Sequence, residues 1–354
     1  MVSSMDHPLV IWSKQRWRKT NRGRGPHVMG RQEVMKPIKT AGMLLAQFAI
    51  AAGAAHAQPA TMSIVVPYPA GGTTDVIARV LQQELGAAFD TTVIVENKPG
   101  AAGVIGARHV ATAKPDGYTM LLSNNGPSVA GPLMQPSSGV DPRTSLVPVT
   151  LLTRSPMMFM VNPAVPADDV AGFIEYAKAQ PKPIEYASAG QGSYGHLVTE
   201  MFARETGVDM LHIPYKGVAP TTMALVSGEV QLLVSTFSQA MQGLINEKRV
   251  KLLAAASAEP SPLMKQVPIV AATVPGFLGE AWFGIQVPKG TPPETVAKLN
   301  EVLVRAIRRP ATVEAMANLG MIVEGSTPEV FGQTVAAEAD KLEPLIRDLG
   351  LVEK

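Results

Sequence analysis

The sequence predicts an α/β fold with a mostly parallel sheet, and two features carry that prediction. A short apolar run, a glycine turn and an amphipathic segment follow one another over residues 63–85, and the same order returns from residue 184. Elsewhere, strand-like runs rich in β-branched residues alternate with helical segments, which is typical of parallel sheets. A chain of 354 residues, 46% hydrophobic and 17% charged, is long enough for two such domains.

The first of these units is SIVVPYPAGGTTDVIARVLQQEL. Gly71 and Gly72 predict a tight turn after the strand, because residues without a Cβ enter such turns freely. Thr73 or Thr74 is expected to cap the helix that follows, and Asp75 suits its first turn. The face that the helix should bury consists of Val76, Ile77, Val80, Leu81 and Leu85. Taken alone, such a turn is also common as an ordinary connection in α/β proteins.

Strands and helices alternate over the rest of the chain. Further strands are predicted at residues 92–96, 118–122, 147–152, 157–161, 184–187, 210–213, 231–234, 250–256 and 281–288. Helices are expected from residue 167 and after Ser193, Thr291 and Thr327, which suit N-cap positions. We expect residues 58–160 plus 281–354 to form one lobe and residues 161–280 to form the second.

The N-terminal 57 residues are predicted to be a leader that ends in a secretory signal peptide. A short basic stretch at 35–39 precedes a largely apolar run at 41–55, and Ala55-His56-Ala57 is an A-x-A cleavage site. The mature chain would begin near Gln58 and lie in the periplasm. Translation could instead start at Met29 or Met35, or the first residues could be a disordered leader. No later apolar run approaches the roughly 20 residues of a transmembrane helix.

Charge and cysteine content exclude several classes of function. Removal of the leader takes away nine basic and two acidic residues, which leaves 22 basic and 27 acidic residues and a formal net charge of −5. We therefore expect no nucleic acid partner. The chain has no cysteine, so disulfides, thiolate metal sites and cysteine nucleophiles are excluded.

The motifs of common enzymes and cofactor-binding proteins are missing from the sequence. His109, His196 and His212 form no metal-binding motif such as HExxH, and Ser193 fails the nucleophile-elbow pattern because Gln191 stands two positions before it. The glycine turns match neither the dinucleotide nor the P-loop motif. We expect a non-enzymatic protein with no cofactor and no metal.

Two glycine turns in separate lobes favour a ligand pocket between the lobes. Backbone N–H groups at helix N-termini attract anions, and Thr73, Thr74, Ser188 and Ser193 would add hydroxyl groups. Charge-assisted hydrogen bonds contribute about 1.5–3 kcal/mol each, so four to six of them suffice for a micromolar ligand. The residues predict a site for a small carboxylate.

Six segments resemble, in order, the signatures of the Bug-type periplasmic substrate-binding proteins of tripartite tricarboxylate transporters. They are PYPAGGTTD (67–75), VENKPGAAG (95–103), PDGYT (115–119), YASAG (186–190), PYKG (214–217) and WFG (282–284). The resemblance covers nearly all of the chain after the leader. It implies a two-lobed, Venus flytrap periplasmic binding protein fold, in which each lobe is a mostly parallel sheet flanked by helices.

The resemblance also implies which residues hold the ligand. The carboxylate would bind at the first glycine loop, partly through ordered water, and the second loop would close on it from the other lobe. Many relatives carry DLMFDN where this chain has QLLVST at 231–236, so both acidic positions are lost and we expect an unaminated acid rather than an amino acid. The expected ligand-binding residues are Ala70, Gly71, Gly72, Thr73, Thr74, Asp75, Asn124, Asn125, Ser188, Ala189, Gly190, Gly192, Ser193, Ser235 and Thr236.

The function implied is that of a monomeric solute receptor. It would capture a small organic acid in the periplasm and deliver it to the membrane permease subunits of a tripartite tricarboxylate transporter. Two alternatives remain open from the sequence. The receptor could feed a signalling system instead, or the protein could be an enzyme that acts on a small carboxylate.

Overall fold

The fold is organised around a mixed sheet that contains ten strands within residues 61–353, the part of the chain that the computed structural model describes. The predicted signal peptide and its cleavage site lie outside these residues. The strands are β1 (Met62–Val66), β2 (Val93–Asn97), β3 (Thr119–Asn124), β4 (Leu146–Val161), β5 (Ile184–Ser188), β6 (Met210–Pro214), β7 (Leu232–Thr236), β8 (Lys251–Ala255), β9 (Glu280–Pro288) and β10 (Ile322–Val323).

The helices of the same residues pack on the faces of this sheet. They are α1 (Thr73–Phe89), α2 (Val104–Ala111), α3 (Gly131–Met134), α4 (Val170–Ala179), α5 (Tyr194–Thr206), α6 (Val218–Ser227), α7 (Gln239–Asn246), α8 (Pro293–Ile307), α9 (Pro310–Asn318) and α10 (Pro328–Asp348). None of the helices within 61–353 is long and apolar enough to cross a membrane.

The strand order is β2-β1-β3-β9-β4-β7-β5-β6, and β8 and β10 also pair with β4. β1 is parallel to β2 and β3, and β5 is parallel to β6 and β7. The long strands β4 and β9 run antiparallel to their neighbours and join the two parallel groups. The predicted α/β alternation is confirmed, with these antiparallel strands as an addition.

Strand β4 differs from its prediction because it is one 16-residue strand rather than two. The polar residues between the two predicted runs continue in the strand, where Thr153 pairs with Phe283 and Ser155 pairs with Ala281 of β9. The Ser155 hydroxyl, fully buried, donates to the Gly320 carbonyl at 3.1 Å. The polar side chain of Ser155 can be buried inside the strand because it donates a hydrogen bond to a carbonyl outside the sheet.

Helix α10 packs across β9 at a point where a side chain would not fit. A Cβ on Gly284 would lie 2.3 Å from Cζ of Phe331 and 2.8 Å from the Thr150 carbonyl oxygen. Trp282, two residues earlier in β9, meets the Phe331 ring edge-on with 5.2 Å between ring centroids. Gly284 therefore allows the helix to approach the two long strands closely.

The start of α1 corrects one set of predictions. Gly72, not a threonine, is the N-cap, and no side chain caps the helix. Thr73 already lies inside the helix because the chain turns one residue earlier than the hydroxyl pattern indicates. The predicted buried face is right for Ile77 and the two leucines, but Val76 is 41% exposed and so was wrongly included.

Of the N-caps predicted for two later helices, one is right and one is wrong. Thr327 caps α10 as predicted, accepting a hydrogen bond from the Val330 N–H at 3.4 Å. Thr291 does not cap α8, because its hydroxyl donates to the Pro288 carbonyl at 2.8 Å and Pro292 occupies the N-cap position. The sequence analysis also missed two short elements, α9 and β10, between these helices.

Candidate functional site

The first glycine turn follows the carboxyl end of β1 and leads into α1. Gly71 has φ of +85°, and no atom lies within 4 Å of the Cβ that another residue would place there. Ala70, Gly71, Gly72 and Thr73 are all exposed to solvent, whereas Thr74 is buried. The exposed part of the turn thus lies at the N-terminus of a 17-residue helix, where the helix dipole favours an anion.

Asp75 ties this turn to its surroundings. Its buried carboxylate accepts the Gly71 N–H at 3.1 Å, the Arg79 Nε–H at 2.9 Å and the Asn97 amide at 3.1 Å. The hydrogen bond from Arg79, followed by that from Gly71, lowers the pKa of Asp75. These contacts hold the turn in shape, and direct contact of Asp75 with a ligand stays a prediction.

Asn124 lies at the end of β3, beside the first turn. Its Oδ1 accepts the Tyr68 hydroxyl at 2.8 Å and the Gly126 N–H at 3.1 Å. Burial raises the pKa of Tyr68 to about 12, so the phenol remains a donor at neutral pH. The Asn124 Nδ2 has no hydrogen-bond partner within residues 61–353, and the residue is half-buried. The amide therefore offers an N–H donor beside the turn.

Asn125 has a different environment from its neighbour. Its side chain is buried, accepts the Trp282 N–H at 3.0 Å and donates to the Glu280 carbonyl at 3.3 Å. Both contacts connect the end of β3 to β9. Asn125 is thus placed to hold the strands together, and its predicted contact with a ligand is untested.

The second glycine turn joins β5 to α5, over residues 188–193. The buried Ser188 hydroxyl lies 2.9 Å from the Gly190 carbonyl oxygen and 2.6 Å from Nε2 of His212. Gly190 and Gly192 have φ of +136° and +73°. The backbone of this turn therefore takes conformations that favour glycine, as in the first turn.

Gly192 connects the second turn to two other elements. Its N–H donates to Nδ1 of His196 at 3.0 Å, and a Cβ there would lie 2.5 Å from Sδ of Met134 in α3. Met134 follows the segment that starts at Asn124, so the second turn contacts the stretch of chain that edges the first. Ser193, the N-cap of α5, has a buried hydroxyl with no partner in residues 61–353.

Ser235 and Thr236 end strand β7 next to the second turn. The contact is close, since a Cβ on Gly195 of α5 would lie 2.5 Å from the Val234 carbonyl oxygen. Thr236 is half-buried and Ser235 is 9% exposed. The end of this strand therefore presents hydroxyl groups and no carboxylate.

The sequence analysis missed four residues that shape the two turns. Tyr68 donates to Asn124 and Asn97 donates to Asp75, and both donors lie inside motifs that carried the family resemblance. His196 and His212 contact the second turn, whereas the sequence indicated surface or capping histidines without a role in the site. No cluster of three or more histidine, aspartate or glutamate residues within 61–353 is arranged to hold a metal ion.

Comparison with known proteins identifies a family and several solved structures that this chain resembles. Residues 77–351 match the family model of the tripartite tricarboxylate transporter family receptor. The solved periplasmic binding protein BugD is 34% identical, with a TM-score of 0.68 over 83% of this chain and 99% of its own. An R. palustris protein with adipate is 32% identical, with a TM-score of 0.70 over 82% and 97%. MatC from Rhodopseudomonas palustris with bound malate is 31% identical, with a TM-score of 0.67 over 81% and 98%.

These similarities confirm the α/β periplasmic binding protein fold and the resemblance drawn from the six motifs. They also confirm that the protein is a binding protein rather than an enzyme, because the matched family is one of receptors. BugD is a periplasmic protein. With the family model matched from α1 to the C-terminal residues, the chain belongs to the tripartite tricarboxylate transporter receptor family.

Proposed function

We propose that this receptor captures a small dicarboxylate at the two glycine turns and delivers it to the membrane subunits of a tripartite transporter. The observation that carries the proposal is the exposed first turn, which places Ala70–Thr73 at the N-terminus of α1 beside the free amide of Asn124. Similar proteins with adipate and malate support a dicarboxylate as the ligand class.

The second turn would hold the other end of the ligand. It also precedes a helix N-terminus, and it contacts α3, which follows Asn124 in the chain. Two helix N-termini suit two carboxylates, and each charge-assisted hydrogen bond would contribute about 1.5–3 kcal/mol. A dicarboxylate therefore satisfies the two turns better than a monocarboxylate.

The end of β7 supports an acid without an amino group. An ammonium group is stabilised by a carboxylate, and Ser235 and Thr236 present only hydroxyl groups next to the second turn. Dicarboxylates such as adipate would then bind more tightly than glutamate. Tighter binding of glutamate would contradict this part of the proposal.

The remaining parts of the proposal concern the whole receptor. The chain would be secreted through its signal peptide, cleaved near Ala57, and act as a monomer in the periplasm. Residues 58–160 plus 281–354 and residues 161–280 would be the two lobes, with β4 and β9 between them. Closure of the lobes on the ligand would create the surface that the membrane subunits recognise.

A thermal-melt series tests the proposal. The refolded, ligand-stripped protein is heated with adipate, malate, citrate, benzoate or glutamate. A ligand at a hundred times its Kd adds about 2.7 kcal/mol, which corresponds to a rise in Tm of roughly 5–10 °C. We expect this rise with at least one dicarboxylate. No rise with any acid would overturn the proposal.

A pair of charge variants locates the binding site. Thr73→Asp adds a negative charge at the exposed N-terminus of α1, which stabilises the helix by about 0.3–1 kcal/mol but repels a carboxylate. The matched control is Ala311→Asp, also exposed in the first turn of a helix but far from both glycine turns in the chain. We expect Thr73→Asp to lose the ligand-induced rise in Tm and Ala311→Asp to keep it.

A further inference from the structure

Two histidines stack directly behind the second glycine turn. His196 comes from α5 and His212 from β6, and their ring centroids are 3.9 Å apart at an angle of 14°. Tyr186 of β5 extends the stack, with its centroid 5.1 Å from that of His212. The three rings form one stack next to the turn.

Each histidine makes a hydrogen bond to the turn itself. His196 accepts the Gly192 N–H at Nδ1, so this nitrogen carries a lone pair and no proton. His212 shares a hydrogen bond with the Ser188 hydroxyl at 2.6 Å through Nε2. The backbone of Gly192 and the side chain of Ser188 are thus each held in place by a hydrogen bond to an imidazole ring.

The surroundings keep these rings neutral near pH 7. Burial, followed by the charge of His212, lowers the pKa of His196 to about 4, and burial also lowers the pKa of His212. The nearest carboxylate is Glu200, 3.9 Å from Nε2 of His196, and it accepts the hydroxyl hydrogen of Tyr186.

Within residues 61–353, Glu200 is the one charged group that forms an ion pair with either histidine. Strand β7 carries no ionisable residue over Leu232–Thr236. On α10, Asp348 pairs with Arg204, and Glu338 lies against Tyr194 rather than against the histidines. Among the described residues, Glu200 is therefore the group that would offset a positive charge on the pair.

We propose that His196 and His212 are positioning residues of the second glycine turn, and that protonation of His196 releases the turn and weakens ligand capture. A protonated Nδ1 has no lone pair, so it would oppose the Gly192 N–H with an N–H of its own. His212 holds the Ser188 hydroxyl in either protonation state, and its charge would oppose a second proton on His196. The effect on capture rests on the proposed function, whereas the effect on the turn does not.

The linkage between folding and pH has a definite sign. His196 binds protons more weakly in the folded than in the unfolded chain, so acid favours the unfolded state. Between the unfolded value of about 6.5 and the folded value, the folding equilibrium constant should fall by up to about tenfold for each pH unit lost.

Two substitutions of His196 separate its role as a hydrogen-bond acceptor from its contribution to packing. In His196→Asn, an amide oxygen takes the place of Nδ1 as acceptor and does not titrate. In His196→Leu, the acceptor is lost while the residue stays apolar and bulky. His212→Gln, in which an amide group replaces Nε2, keeps a partner for Ser188. The matched control is His109→Gln, which removes an exposed histidine of α2.

The first measurement uses the ligand-free protein. Exchange of the Gly192 amide hydrogen is compared between variants at one pH of 7.5, and stability is measured in urea from pH 4.5 to 8. We expect His196→Asn to keep the protection and to show a smaller acid-dependent decline in stability than the wild type, because only the contribution of His212 remains. We expect His196→Leu to exchange at least tenfold faster at Gly192. Wild-type protection in His196→Leu, or an unchanged decline in His196→Asn, would overturn the proposal.

The second measurement titrates each variant with adipate at pH 7.5 and pH 4. Protonation of adipate itself is common to all variants and cancels in the comparison. At a pH equal to the folded pKa of about 4, half of the wild-type protein carries a protonated His196. We therefore expect the wild type to lose about twofold more affinity than His196→Asn between the two pH values, and His109→Gln to behave like the wild type. If adipate binds no variant while Gly192 exchange changes as expected, the positioning role stands and the proposed ligand class fails. If His196→Leu does not fold, the pH profile of His196→Asn alone decides.

Discussion

Asp75 is the residue on which the shape of the first glycine turn depends. Its carboxylate accepts hydrogen bonds from the Gly71 N–H, Arg79 and Asn97. Asp75→Ala leaves the Gly71 and Asn97 donors without this acceptor. We expect a loss of about 1–3 kcal/mol in the free energy of unfolding, measured in urea at pH 7, together with weaker binding of adipate.

Arg79→Ala is the control for this prediction. The Arg79 side chain is 57% exposed, so its ion pair should contribute less than about 1 kcal/mol. The pKa of Asp75 is lower in the folded than in the unfolded chain, where it is about 3.9. The ionised carboxylate therefore stabilises the fold above this pH, and the stabilisation is lost as the pH falls below it. Equal losses for the two variants would show that the turn does not depend on Asp75.

Glu338 of α10 is half-buried, with a buried carboxylate oxygen, and its pKa shifts in the opposite direction. Its Oε1 has no hydrogen-bond partner in residues 61–353, and burial raises its pKa against the opposing effect of Lys341. The ionised form is thus costly, and we expect Glu338→Gln to raise the free energy of unfolding at pH 8. The raised pKa means that wild-type stability declines as the pH rises from about 4.3, so the gain should vanish below that pH.

Glu343→Gln tests whether this gain is specific to burial. Glu343 lies on the same helix but forms ion pairs with Arg143 and Arg347 at 2.9 and 2.7 Å. We measure both variants in urea from pH 4 to 8 and expect no gain in stability from Glu343→Gln at any pH. A Glu338→Gln protein that is less stable than the wild type at pH 8 would contradict the prediction.

At the residue scale, sequence reasoning located the turns better than the contacts that support them. Gly71 and Gly192 were identified because positive φ favours glycine, which is a property of the backbone alone. Asp75 and Asn125 were expected to face a ligand, yet the contacts described here are with the chain itself. Partners such as Asn97 and Trp282 are far away in sequence, so no local pattern indicates them.

At the scale of elements, helix α5 is held against β7 by a small residue. Ala is favoured over Gly in a helix by about 1 kcal/mol, so propensity alone predicts that Gly195→Ala stabilises the protein. The added Cβ would lie 2.5 Å from the Val234 carbonyl oxygen, which the sheet holds in place. Overpacking costs about 1–3 kcal/mol, and we expect a net loss of up to about 2 kcal/mol in urea unfolding.

Gly243 in α7 provides the matched control. No atom lies within 4 Å of the Cβ that Gly243→Ala would add. We expect this variant to gain up to about 1 kcal/mol, because only helix propensity changes. Equal effects of the two substitutions would show that α5 does not need its close approach to β7.

The order of elements was predictable because it depends on local patterns. Strands β1 and β5 and the helices after them follow apolar runs and glycine turns that lie close together in sequence. The continuity of β4 was not predictable, since Ser155 is buried through a contact with Gly320. The threonine N-caps failed at α1 and α8 because neighbouring backbone positions, Gly72 and Pro292, took that role.

At the scale of the whole molecule, one strand connects the two groups of parallel strands. The N-terminal part of β4 pairs with β9, and its last five residues pair with β7 and β8. Unfolding of either group would remove hydrogen bonds and apolar contacts from part of β4. It would thereby destabilise the strand on which the other group also depends. Both groups should therefore unfold together.

Cooperative unfolding can be measured with a single internal probe. In a chain that begins at Gln58, Trp282 is the only tryptophan, and it is buried in β9 against Phe331. We expect the urea transitions followed by Trp282 emission and by far-ultraviolet circular dichroism to coincide. Separate transitions would mean that the two groups of strands fold independently.

The variant Gly284→Ala then tests whether β9 transmits a local change to both groups. Its Cβ would meet the Phe331 ring at 2.3 Å, and the expected loss is about 1–3 kcal/mol. Gly332→Ala, next to Phe331 in α10, adds a Cβ only 3.7 Å from Pro148 Cγ and should be tolerated. We expect Gly284→Ala to lower both midpoints by the same amount. If only the Trp282 transition moves, the change stays within one group of strands and β4 does not couple the two.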